Sequence, residues 1–349
     1  MDVLDWQGVV AVGLAVILPL LFLAYVYQQD SYAIEDVSAM VVCFVWGFVA
    51  LGGAYLINNA LVDHGLIAGQ LQRVVGAPIV EELLKAVPLF YFLWRGRITY
   101  VVDGAIYGFA AGTAYAIGEN LFYLNMLGLD PELALERALS TSLLHGSATA
   151  MVGLALGKLR FQRHGSHSRS VPFVVTLVAM PLRGAMVGAL ALRAGLMRHA
   201  GFNLMVGHPT TLLVLLAIVV GVASLLLTMW FISRGLRDER RWIQEQLARV
   251  GTSADEIRLI DDLPELHHNL SSIAQRFGDH KRETLEKMLR LEARVGLRRK
   301  VLEFSEDGER ARVAADVRSL EEQVASLRRE VGTSCLAYFH KLSWHVLKH

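Results

Sequence analysis

The sequence predicts an all-α fold: a polytopic membrane bundle of about seven transmembrane helices, followed by a C-terminal soluble helical domain with coiled-coil-like periodicity. Three observations carry that expectation. Of 349 residues 54% are hydrophobic and the mean hydropathy is +0.40, too apolar for an ordinary soluble enzyme. Charge is unevenly spread, with 12 Lys or Arg and 13 Asp or Glu in residues 1–232 against 22 and 20 in residues 233–349. Long, mostly uncharged stretches recur before that boundary, each about the 20 residues that a helix rising ~1.5 Å per residue needs to cross a ~30 Å hydrocarbon core. Residues 1–232 are therefore read as a transmembrane domain and residues 233–349 as a helical tail.

The spans follow in order. Residues 9–27, VVAVGLAVILPLLFLAYVY, carry no charge. Asp2 and Asp5 stand where a signal peptide would be basic, and no small-residue cleavage site follows, so this span is expected to be retained. Residues 40–57 contain Gly47, Gly52 and Gly53, which permit close helix contact. The third span, 74–94, holds GAPIVEELLKAVPLF, in which Glu81, Glu82 and Lys85 interrupt an apolar run. Each ionised side chain costs on the order of 2.5 to 3.5 kcal/mol at a helix centre, so these three need partners or work inside the membrane. Glu81 and Lys85 are four apart and are expected to pair, with Glu82 turned ~100° away. The fourth span, 104–124, places glycine at 104, 108 and 112, and the fifth, 139–159, has a matching small face of Gly146, Ala150, Gly153 and Gly157. Residues 171–192 and 210–232 complete the seven.

Basic residues in short loops are retained on the cytoplasmic side. With the N-terminus outside, Arg95, Arg97, Lys158, Arg160, Arg163, Arg169, Arg234, Arg237, Arg240 and Arg241 lie inside, against Arg73, Arg137, Arg193 and Arg198 outside. The tail is then cytoplasmic. A formal net charge of +1 argues against a nucleic-acid partner. Two cysteines, Cys43 in a span and Cys335 in the tail, suggest neither a disulfide framework nor a thiolate metal site.

In this orientation Glu81, Glu119 and His145 come from three consecutive spans at one depth, roughly 8 to 11 Å below the outer boundary at ~1.5 Å per residue, with Glu82 next to Glu81. Asn120 and Tyr123 add hydrogen-bonding groups beside Glu119. Such a gathering suits a general base that activates water, a site for a divalent cation, or a proton relay.

The motifs EELLK at 81–85, DGAIYGFAAGTAYAIGENLFYL at 103–124 and SLLHGSATAMVGLALGKL at 142–159 together resemble three successive signatures of the PrsW family of intramembrane proteases, distant relatives of the CAAX prenyl and bacteriocin-processing proteases. The resemblance implies hydrolysis of a peptide bond in a membrane-anchored protein near the extracytoplasmic face, as in regulated proteolysis of an anti-sigma factor. It carries over to Glu81, Glu82, Glu119, Asn120 and His145, with Glu81, Glu82, Glu119 and His145 read as catalytic and Asn120 as supporting; Lys85 and Arg183 are read beside them as further supporting charges. Glu82, Glu119 and His145 form the ligand set that a divalent metal such as zinc would take. A fourth family motif, a histidine followed four residues on by Asp or Asn, falls on PLRGAMVGAL, where Arg183 and Val187 stand instead. Arginine neither ligates a metal nor acts as a base, although it can neutralise a carboxylate or support an oxyanion. Three rival readings follow: an inactive homologue that serves as a scaffold or sensor through its tail, a buried ion-pair network of these groups with Lys85 and Arg183, and a proton-coupled transporter.

In the tail, Thr252, Ser253 and Glu256 suggest a helix start, and Val313, Val317, Leu320, Val324, Leu327 and Val331 repeat at heptad spacing. Breaks are expected at Gly251, Pro264, Gly278 and Gly308. A helical hairpin, a self-associating coiled coil or a partner-binding module all suit that pattern.

Overall fold

The computed structural model describes residues 6–28, 37–67, 72, 76–95, 97–98, 100–161, 207–249, 270–305 and 307–346. Among them every regular element is helical. The chain divides into two compact units that part between Ser233 and Arg234.

In the first unit the helices are α1 (Trp6–Gln28), α2 (Val37–Asp63), α3 (Ala77–Trp94), α4 (Val101–Leu127), α5 (Pro131–Arg137), α6 (Leu143–Phe161) and the start of α7 (Gly207–Arg249). Among the described residues four stretches are long and apolar enough to cross a membrane: Trp6–Gln28, Val37–Asp63, Pro131–Gly157 and Val214–Arg249. The expected third and fourth spans fall on α3 and α4, which interrupt their apolar character with Glu81, Glu82, Lys85 and Glu119. The sixth lies outside the described residues.

Small residues decide which surfaces meet. Lipid is as apolar as leucine, so helices associate where backbones can approach. α4 and α6 form the centre. A Cβ at Gly108 would stand 2.7 Å from the carbonyl carbon of Thr149, and one at Gly112 2.7 Å from that of His145, so both glycines are required by backbone contact. α2 lays its own small face, Ala39, Cys43, Gly47, Ala50 and Ala54, against α4, while Val41, Val45 and Val49 on its other side are exposed. α1 packs Ala11 and Ala15 against Leu124, Leu133 and Ala134.

α3 has a local fault that its neighbour repairs. Pro88 lacks the N–H that would bond the carbonyl of Leu84, and within lipid that carbonyl has no water to turn to. The indole of Trp46 on α2 donates to it at 2.8 Å. Trp46→Phe is expected to lower stability by about 1 to 3 kcal/mol, the cost of a buried unsatisfied carbonyl, measured as a shift in thermal unfolding in detergent. An unshifted transition would show that this bond contributes nothing.

In the second unit, after the end of α7, lie α8 (Ser271–Phe277), α9 (Asp279–Phe304), α10 (Asp307–Val331) and α11 (Thr333–Val346). α9 and α10 pack as a helical hairpin. The heptad positions Val313, Val317, Leu320 and Val331 are buried, and Arg299 to Glu321 and Arg328 to Glu292 bridge the two helices, each at 2.6 Å. Gly278 and Gly332 adopt φ of 88° and 83° where one helix gives way to the next. The break expected at Gly308 falls just before it, between the end of α9 at Phe304 and the start of α10 at Asp307. Residues 252–256 lie outside the described residues.

Candidate active site

α3 turns one face inward, and that face carries Glu82 and Lys85, 1% and 0% exposed, one turn apart. The lysine ammonium donates to Glu82 Oε1 at 2.5 Å. The pairing expected between Glu81 and Lys85 is thus corrected. Residues three apart share a helix face as well as residues four apart do, and the partner that is buried with the lysine takes the bond. Glu82 Oε2 accepts from the hydroxyl of Thr149 on α6 at 2.9 Å. Glu81 lies about 100° around the helix and lines a cavity instead.

His145 connects the two carboxylates. Its Nδ1 is 3.0 Å from Lys85 Nζ and its Nε2 is 3.0 Å from Glu119 Oε2. An ammonium can only donate, so Nδ1 accepts and the ring proton sits on Nε2, from which it is donated to Glu119. The same Glu119 oxygen accepts from Arg137 NH2 at 2.9 Å, and Arg137 Nε donates to Asn120 Oδ1 at 3.0 Å. Asn120 in turn donates to Ser142 Oγ at 2.8 Å. The result is one hydrogen-bonded chain across four helices, α3, α6, α4 and α5, from Glu82 to Lys85 to His145 to Glu119 to Arg137, in which two carboxylates meet two cations. The charge of each is thereby compensated where water is scarce. Tyr115 and Tyr123 complete it, with Lys85 4.6 Å from the centre of one ring and Arg137 4.1 Å from the centre of the other.

Arg137 was expected in an outer loop and is 2% exposed within the cluster. The backbone explains how it arrives there. Between α5 and α6, residues Ala138–Ser142 form a π-helical turn. In a regular helix Arg137 and His145, eight residues apart, would point about 80° from each other. One inserted residue in a wide turn brings them to within about 20°. The ALSTS sequence makes that turn tolerable: Ser140 donates to the Glu136 carbonyl at 2.5 Å and Thr141 to the Arg137 carbonyl at 3.1 Å. A run of small hydroxyl residues between an arginine and a histidine was the signal available in the sequence.

Of the residues singled out from sequence, Glu82, Lys85, Glu119, Asn120 and His145 are brought together. Glu81 joins Glu119 on the wall of a cavity of about 450 Å³, which Tyr55, Asn58, Tyr115 and Tyr123 also line. Arg183 lies outside the described residues.

The donor set does not fit a metal as arranged. Both ring nitrogens of His145 are engaged, one by Lys85 and the other by Glu119. The Lys85 ammonium sits between Glu82 and His145, and Arg137 engages Glu119. Among the described residues no three His, Cys, Asp or Glu side chains are placed to hold a metal ion.

Comparison with known proteins bears on this geometry. Protease PrsW of Geobacillus kaustophilus (strain HTA426) is 26% identical over 141 residues, which is 40% of this chain and 62% of that protein. No solved structure matches this chain. The profile of the PrsW family intramembrane metalloproteases matches residues 35–230, a stretch that contains α2 to α6 and every residue of the cluster. On that match, this chain belongs to the PrsW family of intramembrane proteases.

Proposed function

We propose that this chain is a membrane-embedded peptidase of glutamate-dependent type that hydrolyses a peptide bond of a membrane-anchored protein near the extracytoplasmic face. The observation that supports it best is the pairing of Glu81 and Glu119 on one cavity wall, directly backed by a charge-compensated network. Glu81 takes a proton from a water held between the two carboxylates. The hydroxide attacks the scissile carbonyl, and the cavity-lining phenols of Tyr115, with Lys85 against its ring, and Tyr123, with Arg137 against its ring, face the developing oxyanion. The proton taken by Glu81 then passes to the departing amine. Glu82 and His145 act from behind, orienting Lys85 and Glu119, and Asn120 holds Arg137.

The proposal includes seven spans, the N-terminus outside and the tail in the cytoplasm. Burial of Arg137 supports that orientation, because removing it from the outer basic residues leaves 10 inside against 3 outside. The helical hairpin of the tail offers a surface for self-association or for a partner that regulates cleavage. The scaffold reading draws on a different observation, the full engagement of Glu82 and Glu119 in ion pairs.

New protein N-termini in membranes of cells carrying the wild-type chain, compared with cells carrying Glu81→Gln at equal abundance, decide between them. Cleavages near the outer face of single-span proteins that vanish in the variant are expected, and they should persist when a chelator is added. Identical sets of termini would leave the scaffold reading standing; loss on chelation alone would return the cluster to metal chemistry.

A further inference from the structure

The cavity that Glu81 and Glu119 share extends well past them. It runs between α2 and α4, with Gly52, Tyr55, Asn58 and Asn59 on one side and Phe122 on the other. Its volume of about 450 Å³ far exceeds what a catalytic water needs and falls in the range of ligand-binding clefts. Its walls are of two kinds. Tyr55 and Phe122 meet edge to face, ring centres 6.0 Å apart, as an apolar wall. Asn58 and Asn59 bring two carboxamides, groups that donate and accept as a peptide unit does, and Gln72 holds Asn58 by donating to its Oδ1 at 2.8 Å. At Gly52 an added Cβ would meet nothing within 4 Å, although the neighbouring glycine on this helix, Gly53, and Gly47 below both face packed atoms. Gly52 thus stands on the open rim of the cavity.

We propose that this cleft between α2 and α4 receives the scissile segment of the substrate as an extended strand, with peptide groups bonded to Asn58 and Asn59 and an apolar side chain laid on the Tyr55–Phe122 wall. The occupant follows from the lining. A helix satisfies its own backbone and would leave the carboxamides idle, whereas an unwound segment exposes peptide groups that need them inside the membrane. The segment it takes thus carries an apolar residue beside a stretch that unwinds readily. The inference rests on the peptidase reading and deepens it.

Gly52→Cys tests it in membranes that show Glu81-dependent termini. Cleavage is measured before and after treatment with methyl and then benzyl methanethiosulfonate, with modification followed by mass. The wild type serves as blank, since Cys43 and Cys335 are both buried. Loss of cleavage on benzyl modification, weaker loss with methyl, and recovery with dithiothreitol are expected, while benzyl modification of Val49→Cys, exposed on α2 but outside the cavity lining, changes nothing. Phe48→Cys, one turn away on the same wall, repeats the test if Gly52→Cys fails to accumulate. Complete modification with undiminished cleavage, or a cysteine at 52 that no reagent reaches, would overturn the cleft. Wild-type membranes without Glu81-dependent termini would instead overturn the peptidase reading, and the cleft with it.

Discussion

Glu81→Gln is expected to remove cleavage by about a hundred- to ten-thousand-fold, the contribution of a positioned general base, while the protein melts within about 1 kcal/mol of wild type. Glu82→Gln should behave in the opposite order. It strips the Lys85 ammonium, fully buried, of the carboxylate 2.5 Å away, and breaking such a pair costs about 3 to 5 kcal/mol. Adjacent glutamates therefore separate by what they damage: one the chemistry, the other the fold. Termini counted at equal abundance and thermal unfolding in detergent read the two effects independently. If Glu82→Gln proved stable and inactive while Glu81→Gln cleaved normally, the base would be Glu82 and the cavity wall merely adjacent.

Arg137→Met is expected to destabilise by about 3 to 5 kcal/mol, because Glu119 loses a cation at 2.9 Å and the fully buried Asn120 loses its donor at 3.0 Å. Arg137→Lys restores the charge but only one point of contact, since a lysine lacks the fork that reaches Glu119 and Asn120 together, so recovery should be partial. Adding Glu119→Gln to Arg137→Met should recover much of the loss, and the double-mutant cycle gives the coupling. A singly substituted Arg137→Met protein that melts with the wild type would mean that His145 alone suffices to hold Glu119. Loss of cleavage in Arg137→Lys at retained stability would show that the fork positions Glu119 for catalysis as well.

The residue types of the cluster were legible in the sequence because the membrane makes them expensive. No other environment turns three charges in EELLK, a lone glutamate in a glycine-striped helix and a lone histidine in its partner into a signal that they meet. The glycine stripes were legible for the same reason, and Gly108 and Gly112 do meet the backbone of α6. The pairing within EELLK was not legible, since positions three and four apart are equivalent until one face is buried. Arg137 was hidden by its charge, which in a count of loop residues marks an end of a span.

By itself, then, the sequence determined the membrane class, the placement of most helices and the identity of the polar groups that must find one another. These follow from lengths, periodicities and transfer costs that act on each segment alone. Only the tertiary structure decided who pairs with whom: that Lys85 takes Glu82, that His145 stands between two helices with its proton on Nε2, and that a π-helical turn swings Arg137 onto Glu119. Such choices depend on the rotation of one helix against another and on a single residue's change in helical phase. Periodicity fixes a face only to within about a turn, whereas a hydrogen bond near 3 Å requires the angle.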